Sequence, residues 1–511
     1  MNAFDVGSLS ARRTTLAAGA ILLAYTLINP VGFLGGGWDD WEYLNAARCW
    51  VAHGPCLPAN HWQGRWPLIA PLAASIGLFG ESRASIGLPS LLATMACLPP
   101  LALIGNRLFG APVGFAGALL FLLTPIVGVE LYDPNVEIFE LAFLAYGFAA
   151  LLIARDDPRA RWGILVGLSF ALAFQTRETA IVPMLVAAVY ACIVFSRGRL
   201  WRLAAVAVPA FLLPLAIELI VFWIQTGDPL WRRELSLHHV LIPSTELRGP
   251  IDRSAPPFFN PNYIANWRHE PGIEIHWTID GLANFLINSK AGITQWAAPL
   301  LLLVYARKIA PGDRRAGWLA LAAGLTITCG YIYALAIDPK ARMLFAVIAL
   351  CGIVLAMVLL RLEKAGHRLI GRAILLVAVG TTVFIVAIFQ QVRSAEPYAQ
   401  QWIERFPNRI AAVENTRRHL ALVGIAQDMP EPGETSADML LIKLDMPCDR
   451  WLDRGRLSTM GWRLVARYPL SVMSYVRPEL GGALCLYRAP GPIVRAPVDR
   501  AIDLTFRPSS R

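Results

Sequence analysis

Asp39, Asp40 and Glu42 follow directly on the first long apolar run, in the string GGGWDDWEYLNAARCWVAHGPCLPANHWQGRW. Tyr43, Ala46, Ala47 and Trp50 come next at helical spacing, which predicts a surface helix beginning at the acidic pair. A carboxylate held there can take the proton of an attacking hydroxyl while that oxygen bonds to carbon. The competing use of Asp39 or Asp40 is to favour the helix N-terminus, where acidic side chains are stabilised.

Three further strings carry charge beside apolar runs. VELYDPNVEIFE offers Glu130, Asp133, Asn135 and Glu137, and Asp133-Pro134 doubles as a helix start, since Asp caps and Pro fits the first helical position. FQTRETAIVP places Arg177 and Glu178 between two apolar runs, a costly position unless they pair with each other, reach the water boundary or hold a ligand. AIDPKARMLF supplies Asp338 with the cations Lys340 and Arg342, which suit a phosphate or pyrophosphate, with lipid snorkelling as the competing reading. His53, His61, His238, His239 and His276 match no zinc spacing, so a divalent metal is unsupported. Trp38, Trp41, Trp50, Trp62 and Trp66 crowd the region after the first run, as interfacial aromatics do.

The elements that position these residues are membrane helices. In 511 residues, 56% are hydrophobic and only 16% charged, a balance that excludes a set of soluble domains. Apolar windows of about 20 residues, the length that crosses a bilayer core, fall near 15–35, 85–105, 111–129, 136–154, 162–176, 178–196, 203–225, 288–306, 317–337, 341–361 and 371–391. These eleven spans include one doubtful stretch, 162–196, readable as two helices at a shallow turn or a broken pair. With the N-terminus inside, Arg12-Arg13, Arg107, Arg155, Arg159, Arg161, Arg197, Arg199, Arg202, Arg307, Lys308, Arg314, Arg315, Arg361, Lys364, Arg368 and Arg372 share one side. This pattern accounts for the net charge of +10 without nucleic acid.

The acidic strings, the loops 36–84 and 227–287, and the tail then share the opposite face. In the tail, MLLIKL, WRLVARYPL and ALCLYR, separated by Pro, Gly and acidic turns, predict strands of a small α/β domain. Cys97, Cys192, Cys329 and Cys351 lie in apolar spans, whereas Cys49/Cys56 and Cys448/Cys485 can each form a disulfide if both regions lie outside the cytoplasm. The first apolar run has the charge order of a signal sequence but no small-x-small site, which predicts a retained span. No Gly-rich phosphate loop is present in the sequence.

Together these strings resemble the membrane glycosyltransferases of the GT-C fold, in the protein O-mannosyltransferase and aminoarabinose-transferase superfamily. The resemblance rests on Trp38-Asp39-Asp40-Trp41-Glu42-Tyr43, Ala46-Ala47, Gly54, RWPLIAPLAASIGLFGES at 65–82, LYDPNVEIFELAFLAYGFAALLIA at 131–154 and AFQTRETAIVPMLV at 173–186. It covers roughly residues 10–390. It implies a GT-C transmembrane domain over 1–391 with about eleven helices, and an extracytoplasmic C-terminal α/β domain over 392–511.

The resemblance further implies that Asp39, with Asp40 adjoining, acts as base or positions the acceptor, and that Asp133, less closely Glu130, is the second acid. Arg342, Lys340 and Arg177 are implied on the donor phosphate, with Glu178, Glu130 and His61 in support; Arg342-Met343 stands where the family has Arg-Tyr. The implied donor is a sugar on a polyprenyl phosphate, transferred with inversion to a lipid, glycan or protein, with no cofactor required. The implied place is a bacterial plasma (inner) membrane, with the site on the periplasmic face. A lipid or glycan transporter or flippase, and a non-catalytic envelope assembly protein, are the rival readings.

Overall fold

The computed structural model describes residues 8–29, 38–235, 289–335, 341–389, 394–413, 429–444, 448–454, 456–476 and 482–498, with a few single positions besides. Each of the eleven predicted windows holds a helix. They are α1 (Ser8–Ile28), α4 (Arg83–Phe109), α5 (Ala111–Leu122) with the short α6 (Pro125–Val129), α7 (Val136–Asp156), α8 (Ala160–Thr176), α9 (Ile181–Val194), α10 (Arg197–Thr226), α11 (Thr294–Val304), α12 (Pro311–Cys329), α13 (Phe345–Lys364) and α14 (Arg368–Phe389). The first predicted loop supplies two more, α2 (Trp38–His53) and the apolar α3 (Trp66–Phe79).

Six segments among the described residues are long and apolar enough to cross a bilayer: Arg83–Phe109, Val136–Asp156, Arg197–Thr226, Pro311–Ala334, Ala341–Lys364 and Arg368–Ile388. The window 111–129 is broken at Thr124, where Pro125 opens α6. The doubtful stretch 162–196 resolves into α8 and α9, separated by an extended Arg177 and a 3-10 turn at Glu178–Ala180. Outward apolar side chains on α10, such as Leu213, Ile217, Ile220 and Ile224, are exposed, as suits a helix facing lipid.

The core gathers on α13, whose Phe345, Ile348, Val354, Leu355 and Met357 are fully buried. Beside it α4 and α5 meet backbone to backbone. Gly105 faces Gly114, and a Cβ at Gly114 would run into the Ala102 carbonyl oxygen. Such small-residue contacts are how helices approach closely in a bilayer.

Two local starts set the approach to the charged strings. Ser82 and Ser85 form a reciprocal capping box at the head of α4. At α7 the cap is Asn135, whose side chain accepts from the Glu137 amide at 2.9 Å. The predicted capping role of Asp133 is therefore filled two residues later, and Asp133 stays in the turn.

The C-terminal region carries α15 (Glu396–Arg405), α16 (Cys448–Arg454), α17 (Val472–Val476) and a four-stranded mixed sheet. Its strands are β1 (Ile410–Ala412), β2 (Met439–Leu444), β3 (Arg463–Pro469) and β4 (Ala483–Arg488), in the order β1-β2-β4-β3, with β1 parallel to β2 and the rest antiparallel. β2, β3 and β4 are the three predicted strands; β1, three residues long, was not foreseen. Leu440, Ile442 and Tyr487 bury one face with Trp451, while Leu441, Leu484 and Leu486 bury the other against Ala399 of α15. Both predicted cysteine pairs are disulfides, Cys49–Cys56 and Cys448–Cys485. An Arg83–Glu396 ion pair joins the head of α4 to the head of α15.

Candidate active site

α2 begins at Trp38, so Asp39 and Asp40 occupy its first turn, as the acidic start predicts. The side of the helix carrying Tyr43, Ala46 and Ala47 is buried in the main apolar core, with α2 packed on α3, and this fixes the direction of the first turn. Glu42 accepts from Asn60 Nδ2 at 2.7 Å and Gln63 Nε2 at 2.9 Å, which ties the turn ahead of α3 to α2.

The centre of the charged cluster is Arg342, in a 3-10 turn leading into α13. Its Nη2 donates to Asp39 Oδ2 at 2.9 Å, its Nε lies 3.4 Å from Glu137 Oε1, and its Nη1 lies 3.9 Å from Glu130 Oε2. Glu137 Oε1 also accepts from Arg177 Nη1 at 3.2 Å, and both side chains are buried. Glu130 in turn accepts from Asn135 Nδ2 at 3.1 Å. Four predicted residues, Asp39, Glu130, Arg177 and Arg342, thus come together from four parts of the chain.

Asp133 lies in the same turn and feels this cluster electrostatically. Its carboxyl is held well above the ordinary value of 3.8, first by burial and then by the negative charges of Asp40 and Glu130. Lys443 of β2 and Arg342 pull in the opposite direction. Asp133 and Asp40 therefore belong to the same acidic neighbourhood as Asp39.

Other predicted residues are placed differently. Glu178 does not orient Arg177; it accepts from Arg232 Nε at 2.7 Å, and Arg232 also reaches Glu218 at 3.1 Å and the Gln175 carbonyl at 2.8 Å. The reason is local: Arg177 is extended (φ −160°, ψ 129°), so neighbouring side chains point apart. His61 packs on Trp62 with ring centroids 3.8 Å apart. Lys340, Asp338, His238, His239, His276 and most of the loop 227–287 lie outside the described residues. Among the described residues no group of three or more His, Cys, Asp or Glu is arranged to hold a metal ion.

The sequence reading named Glu137 without giving it a role and passed over Arg65. Arg65 precedes α3, donates to the buried Tyr43 hydroxyl and faces the charges of Asp39, Glu137 and Glu178. Burial pushes the Tyr43 phenol up, which keeps it a neutral partner for that guanidinium. A charged residue just inside an apolar run was the available signal for Glu137. For Arg65 the signal was a lone Arg at the head of an apolar helix, where the dipole disfavours it.

A guanidinium flanked by carboxylates at a helix N-terminus can bind an anion and present a base beside it. Residues 67–224 match the model of the family described as dolichyl-phosphate-mannose-protein mannosyltransferase. A crystal structure of ArnT from Cupriavidus metallidurans bound to undecaprenyl phosphate is similar at 14% identity, covering 92% of this chain and 97% of that one, with a TM-score of 0.50. The apo oligosaccharyltransferase of Archaeoglobus fulgidus is similar at 11% identity, covering 89% of this chain and 73% of that one, with a TM-score of 0.51. No curated protein matches the sequence. The chain has the GT-C fold of membrane glycosyltransferases, as its motifs imply.

Proposed function

We propose that the chain is an inverting glycosyltransferase that moves a sugar from a polyprenyl-phosphate donor to a hydroxyl of a lipid, glycan or protein. The observation that carries this reading is the 2.9 Å contact of Asp39 with Arg342, a carboxylate suited to act as base beside a guanidinium suited to a phosphate. The ArnT structure holding undecaprenyl phosphate supports a lipid phosphate as the donor's leaving group.

In this mechanism the acceptor oxygen bonds to the anomeric carbon as the bond from that carbon to the phosphate oxygen breaks. The electron pair leaves on the phosphate and the hydroxyl proton passes to Asp39. Arg342 and Arg177 offset the charge growing on the phosphate, with Lys340 a further candidate. Asp40 and Asp133 shape the field around the base, and a single displacement inverts the sugar.

The same reading places residues 1–391 as the catalytic membrane domain and 392–511 as its extracytoplasmic companion at a bacterial inner membrane. Disulfides in both regions fit an oxidising compartment. The test is mass spectrometry of lipids co-purified with the detergent-extracted wild type and Asp39→Asn variant. A retained polyprenyl-phosphate sugar, enriched in the variant, is expected and names the sugar; its absence from both proteins rejects the donor class.

A further inference from the structure

Arg342 is shared among three carboxylates, and they are not equally able to let go. Glu137 is pinned: its side chain is 6% exposed, and the same oxygen lies 3.2 Å from Arg177 and 3.4 Å from Arg342. Its backbone is fixed by the Asn135 cap. Asp39 is 32% exposed and sits in the first turn of α2, where the helix amides stabilise its charge whether or not Arg342 is beside it.

A phosphate cannot simply join this set. A fourth anion within reach of one guanidinium would be repelled by the three already there, and repulsion at such distances is large away from bulk water. Arg342 presents its N–H groups in a planar fork, and its Nη2 edge is given to Asp39, the most exposed of the three carboxylates. The Glu137 contact, at Nε, lies deeper.

We infer that Asp39 and the donor phosphate exchange on Arg342: the phosphate takes the Nη2 edge, Asp39 is released from the guanidinium, and Glu137 stays as the anchor that holds Arg342 and Arg177 in place. This rests on the transferase reading and deepens it. Glu137 is then a positioning residue, and Asp39 leaves the guanidinium only when a donor takes its place.

The exchange makes an unusual demand: removing the base should tighten binding of the leaving group. The probe is farnesyl phosphate, titrated against purified wild type, Asp39→Asn, Asp40→Asn and Glu137→Gln proteins by microscale thermophoresis. Asp40→Asn removes the same charge from the next residue, which also acts on Arg342, and so separates the loss of a nearby charge from the loss of the Asp39–Arg342 bond. The expectation is that Asp39→Asn binds about threefold to tenfold tighter than wild type, the scale of one half-exposed pair, and clearly tighter than Asp40→Asn. Glu137→Gln is expected to bind more weakly than wild type.

Equal or weaker binding by Asp39→Asn, or equal tightening by Asp40→Asn, overturns the exchange while leaving the transferase reading intact. Loss of binding in every protein, wild type included, removes both. The comparison of Asp39→Asn with Asp40→Asn involves two half-exposed first-turn residues, so it stands even if Glu137→Gln does not fold.

Discussion

Replacing Asp39 by Asn separates a base from a residue that only favours a helix start, because the two roles differ in size. Asp39 is the second residue of α2, and its charge contributes about 0.3–1 kcal/mol there through the helix dipole. The side chains of its pair with Arg342 are about a quarter to a third exposed, open enough to water for the pair to contribute about 0.2–1 kcal/mol. Asn keeps the size and the hydrogen-bonding oxygen, so the folded protein should lose at most about 2 kcal/mol, or a few degrees in Tm for a large chain. Loss of a general base instead lowers turnover about 10²- to 10⁴-fold, equivalent to about 3–5 kcal/mol on the barrier. The assay is sugar transfer at saturating donor with purified protein, alongside a thermal melt in the same detergent. Turnover within about tenfold of wild type would refute the base assignment. The catalytic question would then move to Asp40 and Asp133.

The turn carboxyl Asp133 has a raised folded value, so its ionisation opposes folding: the resulting penalty is absent below 3.8 and grows as pH rises toward the folded value. Asp133→Asn should therefore match wild type in melting temperature near pH 4 and exceed it increasingly above; a constant difference across pH would reject this. Chain entropy assigns about 2.4 kcal/mol to Cys49–Cys56, with a separation of 7, and about 3.8 kcal/mol to Cys448–Cys485, with a separation of 37. Reduction should thus raise hydrogen exchange more around β4 than around α2, and the reverse order would count against the loop argument. Gly114→Ala should cost about 1–3 kcal/mol by overpacking α4 against α5, and an unchanged melt would show that the helices can separate freely.

What the sequence made legible was local. The acidic first turn of α2, the helix windows and three of the four strands each follow from a pattern within a few turns of chain. The Asp39–Arg342 contact spans 303 residues, and no periodicity encodes it; residue type and position beside apolar runs brought both residues forward, but not their pairing. Glu137 was named in its turn but given no role, for a different reason. α7 is buried almost all round, with Phe139, Leu141, Leu144 and Leu151 spread over its surface, so no polar face marks out the carboxylates it carries.

Arg177-Glu178 shows how adjacency in sequence misleads. An oppositely charged dipeptide between two apolar spans invites pairing, yet extended backbone at Arg177 turns one side chain to Glu137 and the next to Arg232. The dipeptide is thereby a junction between the charged site and the α8–α10 contact, and its two halves should respond unequally to loss. Glu178 is 47% exposed, and Arg232 keeps Glu218 and the Gln175 carbonyl without it, so Glu178→Ala should cost about 1 kcal/mol or less. Glu137→Ala leaves the guanidinium groups of Arg177 and Arg342 facing each other in the interior, and breaking a buried pair of this kind costs about 3–5 kcal/mol. Thermal melts of the two variants decide the matter. Equal losses would mean that the 137–177–342 cluster is as open to water as Glu178, and that its arginines need no anchor to stand ready for a phosphate.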